Sequence, residues 1–161
     1  MPRISAIQAG GQNRCAFLDA VAVSEIGAAL LAITDDGYNV LVGATATHPL
    51  TFSSYATHPN VLNTALNSTA AGRYQDLHRY AVAYMASLRL PDFGPVSQDL
   101  IALQQIRERG ALPFIDVGNF AKAIALCSNI WASLPGNNYQ QHENTLTDLE
   151  AAYTAAGGTL V

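Results

Sequence analysis

The chain has 161 residues, 50% of them hydrophobic and only 12% charged, with a formal net charge of −4 and a pI near 5.4. That length and apolar share suit one folded domain, residues 1–161, with a real core, and they exclude a disordered chain. The acidic balance argues against general nucleic-acid binding, which wants a basic face, and gives no overall electrostatic help toward an anionic polymer.

Residues 1–12 read as a flexible N-terminal arm. Asn13 suits the N-cap of a helix opening at Arg14, in which Phe17, Leu18, Val21 and Glu25 share one face. Gly27 ends or loosens that helix. The run "AVAVSEIGAALLAI" (20–33) is almost wholly apolar, with one carboxylate inside it. A membrane anchor is disfavoured there, because Asp19 and Glu25 would each cost about 2.5–3.5 kcal/mol near a bilayer centre. No cleavable export signal precedes the run, so no stable membrane insertion is expected.

"DDG" at 35–37 is a turn sequence, and "GYNVLVGA" (37–44) reads as a strand by its β-branched and aromatic content. "TFSSYATHP" (51–59) is a candidate hairpin partner. Residues 34–68 therefore form an expected β-rich lobe. Over 72–88, "GRYQDLHRYAVAYMASL" reads as a helix with Tyr74, Leu77, Tyr80, Tyr84 and Leu88 in one mostly core-facing stripe. Pro95 suits the start of the next helix, which runs to a stop at Gly110 with Leu100, Leu103, Ile106 and Arg107 inside. "LPFIDVG" is a short turn, 119–134 a helix holding Trp131 in the core, 135–144 a loop, and Thr145 or Thr147 caps the closing helix. The fold class is α+β but mainly α, a helical lobe and a small β-rich lobe flanking a cleft. Such clefts are the default place for a ligand.

Glu25 is the leading chemical group. No basic residue lies within a helical turn of it, and burial without a cation raises a carboxyl pKa, which suits a general acid. The bland alternative is a buried glutamate satisfied by hydroxyl or backbone groups. Asp35 and Asp36 are candidate second carboxylates for glycoside cleavage, although turn chemistry is the preferred explanation of both. Tyr74 and Gln75 suit sugar recognition, as a ring face and a two-way amide; Ser128 and Asn129, beside Trp131, need partners. Cys15 and Cys127 read as buried free thiols. The histidines (48, 58, 78 and 142) show no metal-ligand spacing, so neither metal nor cofactor is expected.

Taken together, "AFLD" with "SE" (16–25), "GYNVLVG" (37–43), "STAAGRYQ" (68–75), "DFGPVSQD" (92–99), "ALQQIRERGALPFID" (102–116) and "CSNIWASLPG" (127–136) resemble the bacteriophage lambda lysozyme family of lytic transglycosylases. The resemblance runs from about Ala16 to Thr159. It implies a lysozyme-like fold and cleavage of the β-1,4 bond between N-acetylmuramic acid (MurNAc) and N-acetylglucosamine (GlcNAc) in peptidoglycan, leaving a 1,6-anhydro end. Glu25 falls on the family's catalytic glutamate. The resemblance places Tyr74 and Gln75 in the saccharide cleft, adds Gln104, Gln105, Ser128 and Asn129 as substrate-binding candidates, and puts Tyr139 on one lip. The chain departs from the pattern at "SEIG", where a member of the family continues "SEG", and at "GA" (43–44), where "GG" is common. The implied setting is an endolysin made in the bacterial cytoplasm, a monomer that acts on peptidoglycan glycan strands in the periplasm and depends on a separate holin for passage. Two alternatives stay open. One is a hydrolytic muramidase using Glu25 with Asp35 or Asp36. The other is a catalytically silent wall-binding or virion module.

Overall fold

The computed structural model describes residues 1–136 and 144–161. Among these residues the regular elements are helices: α1 (Ala6–Ala9), α2 (Gln12–Ile26), α3 (Ala28–Ile33), α4 (His78–Leu88), α5 (Pro95–Glu108), α6 (Leu112–Asp116), α7 (Phe120–Cys127) and α8 (Leu146–Ala155). The central one is α2. Nine of its residues, from Cys15 to Ser24, are buried, on more than one face. It packs against α8, α1, α6, α3 and α5, and its Phe17 ring meets Phe120 edge-on at 5.6 Å. A helix so enclosed reads as an unbroken apolar run, and burial inside a protein is the alternative to a membrane for such a sequence. No helix among the described residues is long and apolar enough to cross a bilayer.

The helix ends follow local chemistry. Pro95 opens α5, where the missing N–H of proline costs nothing. The Asn119 side chain accepts from Lys122 N and caps α7, and Thr145 does the same for α8 through Asp148 N. Gly27 stands between α2 and α3 at φ 83°, a conformation that halts the first helix and re-aims the second.

Several expectations are corrected. The arm at 1–12 is tied down: Ser5 and Gln8 form a reciprocal capping box on α1, and the N–H groups of Arg3 and Ile4 donate to Asp99 Oδ2 at 2.8 Å each. The α2 helix starts at Gln12, behind Gly11. Asn13 does not cap it; its side chain instead bridges Ile115 O at 3.1 Å and Thr159 N at 3.0 Å. "LPFID" is a helical turn, α6, and α7 stops at Cys127, well short of 134. Arg107 is exposed, whereas Gln105 and Ile101 point inward.

The expected strand at 37–44 and its hairpin partner are reduced to isolated antiparallel bridges, Val40 to Thr51 and Leu41 to Ala71 among them. Segment 34–77 is built from turns stitched by such bridges. "GRYQ" is likewise not helical. Gly72 takes φ 82° and Gln75 φ 50°, and Ala71 pairs with Asp76 in both directions at 3.1 Å, so the chain makes a tight turn before α4 begins at His78. Both cysteines are buried and unpaired.

Candidate active site

The sharp turn at 72–77 is held from below by α5. Gln98 accepts from Arg73 N at 2.9 Å through Oε1, and its Nε2 donates to Tyr38 O at 3.0 Å and Phe93 O at 2.8 Å. Next to it, Asp99 accepts from the hydroxyls of Tyr38 at 2.8 Å and Tyr74 at 2.6 Å. Arg73 is 1% exposed, and its guanidinium pairs with Asp19 of α2 and with Asp36 at 2.8 Å. Apart from Arg73 Nε, which is buried without a hydrogen-bond partner, these groups are paired with opposite charges or with backbone and hydroxyl partners, the condition under which burial is tolerated. Their effect is to fix the turn that carries Gln75 and Asp76.

Two concavities meet over this turn. One, of about 350 Å³, is lined by Tyr74, Gln75, Asp76, α4 residues Tyr80 and Tyr84, α5 residues Gln105 and Glu108, and by Asn129 and Trp131. The other, of about 460 Å³, lies against Val40–Ala44, Ser68 and Ala70 of the bridge-stitched segment. Glu25, Gln75, Leu77 and Ile130 line both, so they form the waist of one continuous cleft. Glu25 comes from the last turn of α2, just before Gly27 breaks the helix.

The Glu25 carboxyl has no cationic partner among the described residues. Its Oε1 accepts from the Ser133 hydroxyl. Ser133 Oγ in turn lies 2.8 Å from the Ser24 hydroxyl, and Asn144 Nδ2 donates to Ser24 Oγ at 3.0 Å. Because an amide NH₂ can only donate, the Ser24 and Ser133 protons are directed down the chain toward Glu25. Burial raises the Glu25 carboxyl above the usual carboxylate range, and the Ser133 bond opposes that rise.

The other residues singled out from sequence fall in different places. Gln75, Gln105 and Asn129 reach the cleft wall. Tyr74 also borders it, but the residue is 1% exposed with its hydroxyl turned inward onto Asp99, so its ring face is core. Trp131 is buried and donates from Nε1 to Tyr74 O at 3.0 Å. Gln104 points away from the cleft, on the far side of α5 beside Leu100 and Arg107, and donates to Glu108 Oε1 at 2.9 Å. Ser128 is spent on the Ala125 carbonyl at 3.0 Å. Tyr139 lies outside the described residues. Asp35 is paired with Arg3 at 2.9 Å and with the Tyr55 hydroxyl at 2.6 Å, and neither Asp35 nor Asp36 lines either part of the cleft.

Three cleft-side groups carry no local sequence signal: Ser133, Asn144 and Asp76. Asp76 looks like an ordinary acidic residue at a helix start. Its placement depends on Gln105, a whole helix away, whose Nε2 donates to Asp76 Oδ1 at 2.7 Å.

Comparison with known proteins gives a consistent result. The family model described as Endolysin matches residues 15–160. The endolysin of Escherichia phage lambda is 49% identical over 152 residues, covering 92% of this chain and 93% of the relative. That of Escherichia phage P2 is 46% identical over 156 residues, covering 91% and 94%. Among solved structures, bacteriophage lambda lysozyme complexed with a chitohexasaccharide superposes with a TM-score of 0.84 at 46% identity over 100% of both chains. A second structure of lysozyme from bacteriophage lambda gives a TM-score of 0.81 at 45% identity, again over 100% of both chains.

Proposed function

The chain belongs to the Endolysin family and has a lysozyme-like, mainly α fold, and from that premise we propose that it cleaves the MurNAc–GlcNAc β-1,4 bond of peptidoglycan as a lytic transglycosylase. The observation that carries the proposal is the position of Glu25. It is a carboxyl with raised proton affinity that lines both concavities of the cleft. A related lysozyme has been solved with a chitohexasaccharide, which supports a glycan in this cleft.

The protonated Glu25 carboxyl gives its proton to the glycosidic oxygen. The C1–O bond breaks with its electron pair going to that oxygen, and C1 of MurNAc takes on oxocarbenium character. The Glu25 carboxylate then accepts the proton of the same sugar's C6 hydroxyl as that oxygen bonds to C1. The products are a 1,6-anhydro-MurNAc end and a free GlcNAc 4-hydroxyl. No water is consumed and Glu25 ends protonated, ready for the next strand. One carboxyl serves both steps.

A hydrolytic muramidase would use a second carboxylate to activate water. The engagement of Asp35 and Asp36 elsewhere removes those two from that role, and leaves Asp76 and Glu108, which line the cleft with Glu25, as the carboxylates a hydrolytic route would need. Mass spectrometry of soluble fragments from digested peptidoglycan tests the choice. Fragments lighter by one water and lacking a reducible muramic end are expected; ordinary reducing ends would make it a hydrolase. Glu25→Gln should abolish fragment release while leaving the thermal unfolding transition in place, and unchanged release would remove Glu25 from the chemistry. A wild-type chain that releases no fragments from any wall type would be a silent wall-binding module. Action on the wall fits release from the cytoplasm through a separate holin, with the chain working as a monomer.

A further inference from the structure

Two cations stand unpaired beside the cleft of a chain in which acids outnumber bases, 12 to 8. Three arginines are committed to carboxylates: Arg3 to Asp35, Arg14 to Asp116, and Arg73 to Asp19 and Asp36. Arg79 and Arg109 are not. Both are exposed, and among the described residues neither guanidinium has a carboxylate within ion-pairing distance. Arg89 and Arg107 are exposed as well, but neither lines the cleft.

Arg109 follows α5 and lines the same concavity as Tyr80, Tyr84 and Glu108. Its neighbour Glu108 takes its hydrogen bonds elsewhere, from the Tyr84 hydroxyl at 2.6 Å and from Gln104 Nε2 at 2.9 Å, and leaves the Arg109 fork open. Arg79 stands in the first turn of α4, with its guanidinium 4.7 Å from the centre of the Tyr80 ring. It lines a further concavity, of about 420 Å³, which shares Leu77 with both parts of the cleft. A guanidinium resting on a ring face is oriented by it and keeps its N–H edges free. A cation in the first turn of a helix also faces the positive end of the helix dipole, so Arg79 gains nothing for α4 by standing there.

An open guanidinium fork suits a carboxylate, which it can hold through two parallel hydrogen bonds. The sugars of peptidoglycan are uncharged where the lactyl group of MurNAc is closed by its peptide, so the carboxylates of the polymer lie on that peptide stem. A stem hangs from every second sugar, so a strand lying in the cleft carries anionic groups along its edges. We propose that Arg79 and Arg109 form an anion-binding rim that takes the carboxylates of the peptide stems and makes a stem-bearing strand a better substrate than an uncharged glycan. The inference deepens the peptidoglycan reading given above and rests on it. A net charge of −4 gives no attraction to an anionic strand at a distance; the two arginines supply it locally, within the range that salt leaves unscreened.

The test uses the full chain and two substrates: soluble uncrosslinked peptidoglycan strands, and the same strands with their carboxylates converted to neutral N-methylamides by a carbodiimide and excess methylamine. At low ionic strength the wild-type kcat/KM for fragment release should be roughly three- to tenfold higher on the native strands, the scale of two exposed charge pairs, with the difference in KM. Arg79→Gln combined with Arg109→Gln should erase that preference by lowering the native value alone, and added salt should do the same to the wild type. Chitohexaose, an uncharged all-GlcNAc hexamer, should bind a Glu25→Gln chain equally with and without the two changes. Equal cleavage of native and amidated strands by the wild type overturns the rim. So does a double variant that keeps the native rate, one that loses rate equally on both substrates, or one that weakens chitohexaose. If the wild type releases no fragments from either kind of strand, the peptidoglycan reading itself fails and the rim falls with it.

Discussion

At the scale of single residues, the ionisation of Glu25 is set by two opposed causes. Burial favours the protonated form, and the hydrogen bonds from the Ser133 hydroxyl and backbone favour the carboxylate. A general acid must hold its proton, so activity falls as pH rises through the Glu25 pKa. Removing the Ser133 hydroxyl takes away the larger of the two Ser133 hydrogen bonds that favour the charged form, leaving the backbone one, and moves that pKa further up. Ser133→Ala should therefore shift the alkaline fall of kcat/KM to higher pH by about one unit. A pH profile of fragment release on purified peptidoglycan reads this directly. An unshifted profile would mean that the contact orients Glu25 without governing its proton. The placement of Glu25 beside a cleft was legible from sequence, because it shares the apolar face of its helix; its catalytic role rests on the family resemblance and is the proposal. Asp76 and Ser133 were not, because a turn acid and a serine in a loop acquire meaning only through partners 29 and 108 positions away.

At the scale of elements, the helices with local punctuation were readable to within a residue or two: α5 behind Pro95, α8 behind Thr145, and the end of α2 at Gly27. The turn at 72–77 was not. Its side-chain spacing continues the period of α4, yet its backbone bonds go to Val40 and to its own bridge rather than into a helix. Tertiary pairing overrides propensity there, and it does so through Gly72. At φ 82° this position disfavours any side chain, and an added Cβ would sit 2.3 Å from Gln98 Oε1, the atom that receives Arg73 N. Gln98 cannot swing aside without giving up its three bonds. Gly72→Ala should cost about 2–4 kcal/mol, summing backbone strain and overpacking, measured as a lower urea midpoint. It should also weaken chitohexaose binding, because Gln75 and Asp76 ride on the same turn. A variant that unfolds at the wild-type midpoint would show that the turn has another way to close.

At the scale of the whole molecule, the two sides of the cleft are joined by polar groups buried beneath it rather than by apolar packing alone. Asp99 of α5 receives the chain start through Arg3 N and Ile4 N, segment 34–68 through Tyr38, and the cleft turn through Tyr74. Arg73, from that same turn, reaches Asp19 on α2 and Asp36 at the edge of the bridge-stitched segment. The low share of charged residues in the composition thus hides a concentration of them at one structural junction. Asp99→Ala would remove the acceptor of four donors, of which Arg3 N keeps another, the Tyr38 hydroxyl oxygen at 2.9 Å, and three are left facing a void. Each unpaired buried donor costs about 1–3 kcal/mol, and water entering the space recovers part of it, so a net loss of about 4 kcal/mol is expected. For a chain of this size that is a fall in Tm of about 10 °C. The same loss should loosen residues 1–5 and the 72–77 turn together, because one carboxylate holds both. Hydrogen exchange distinguishes this from simple weakening of the core: the amides of Arg3 and Ile4 should lose protection at temperatures where those of α2 and α8 keep theirs. Were the arm to stay protected while the whole chain softened evenly, Asp99 would be one polar core residue among several and not the joint between the lobes.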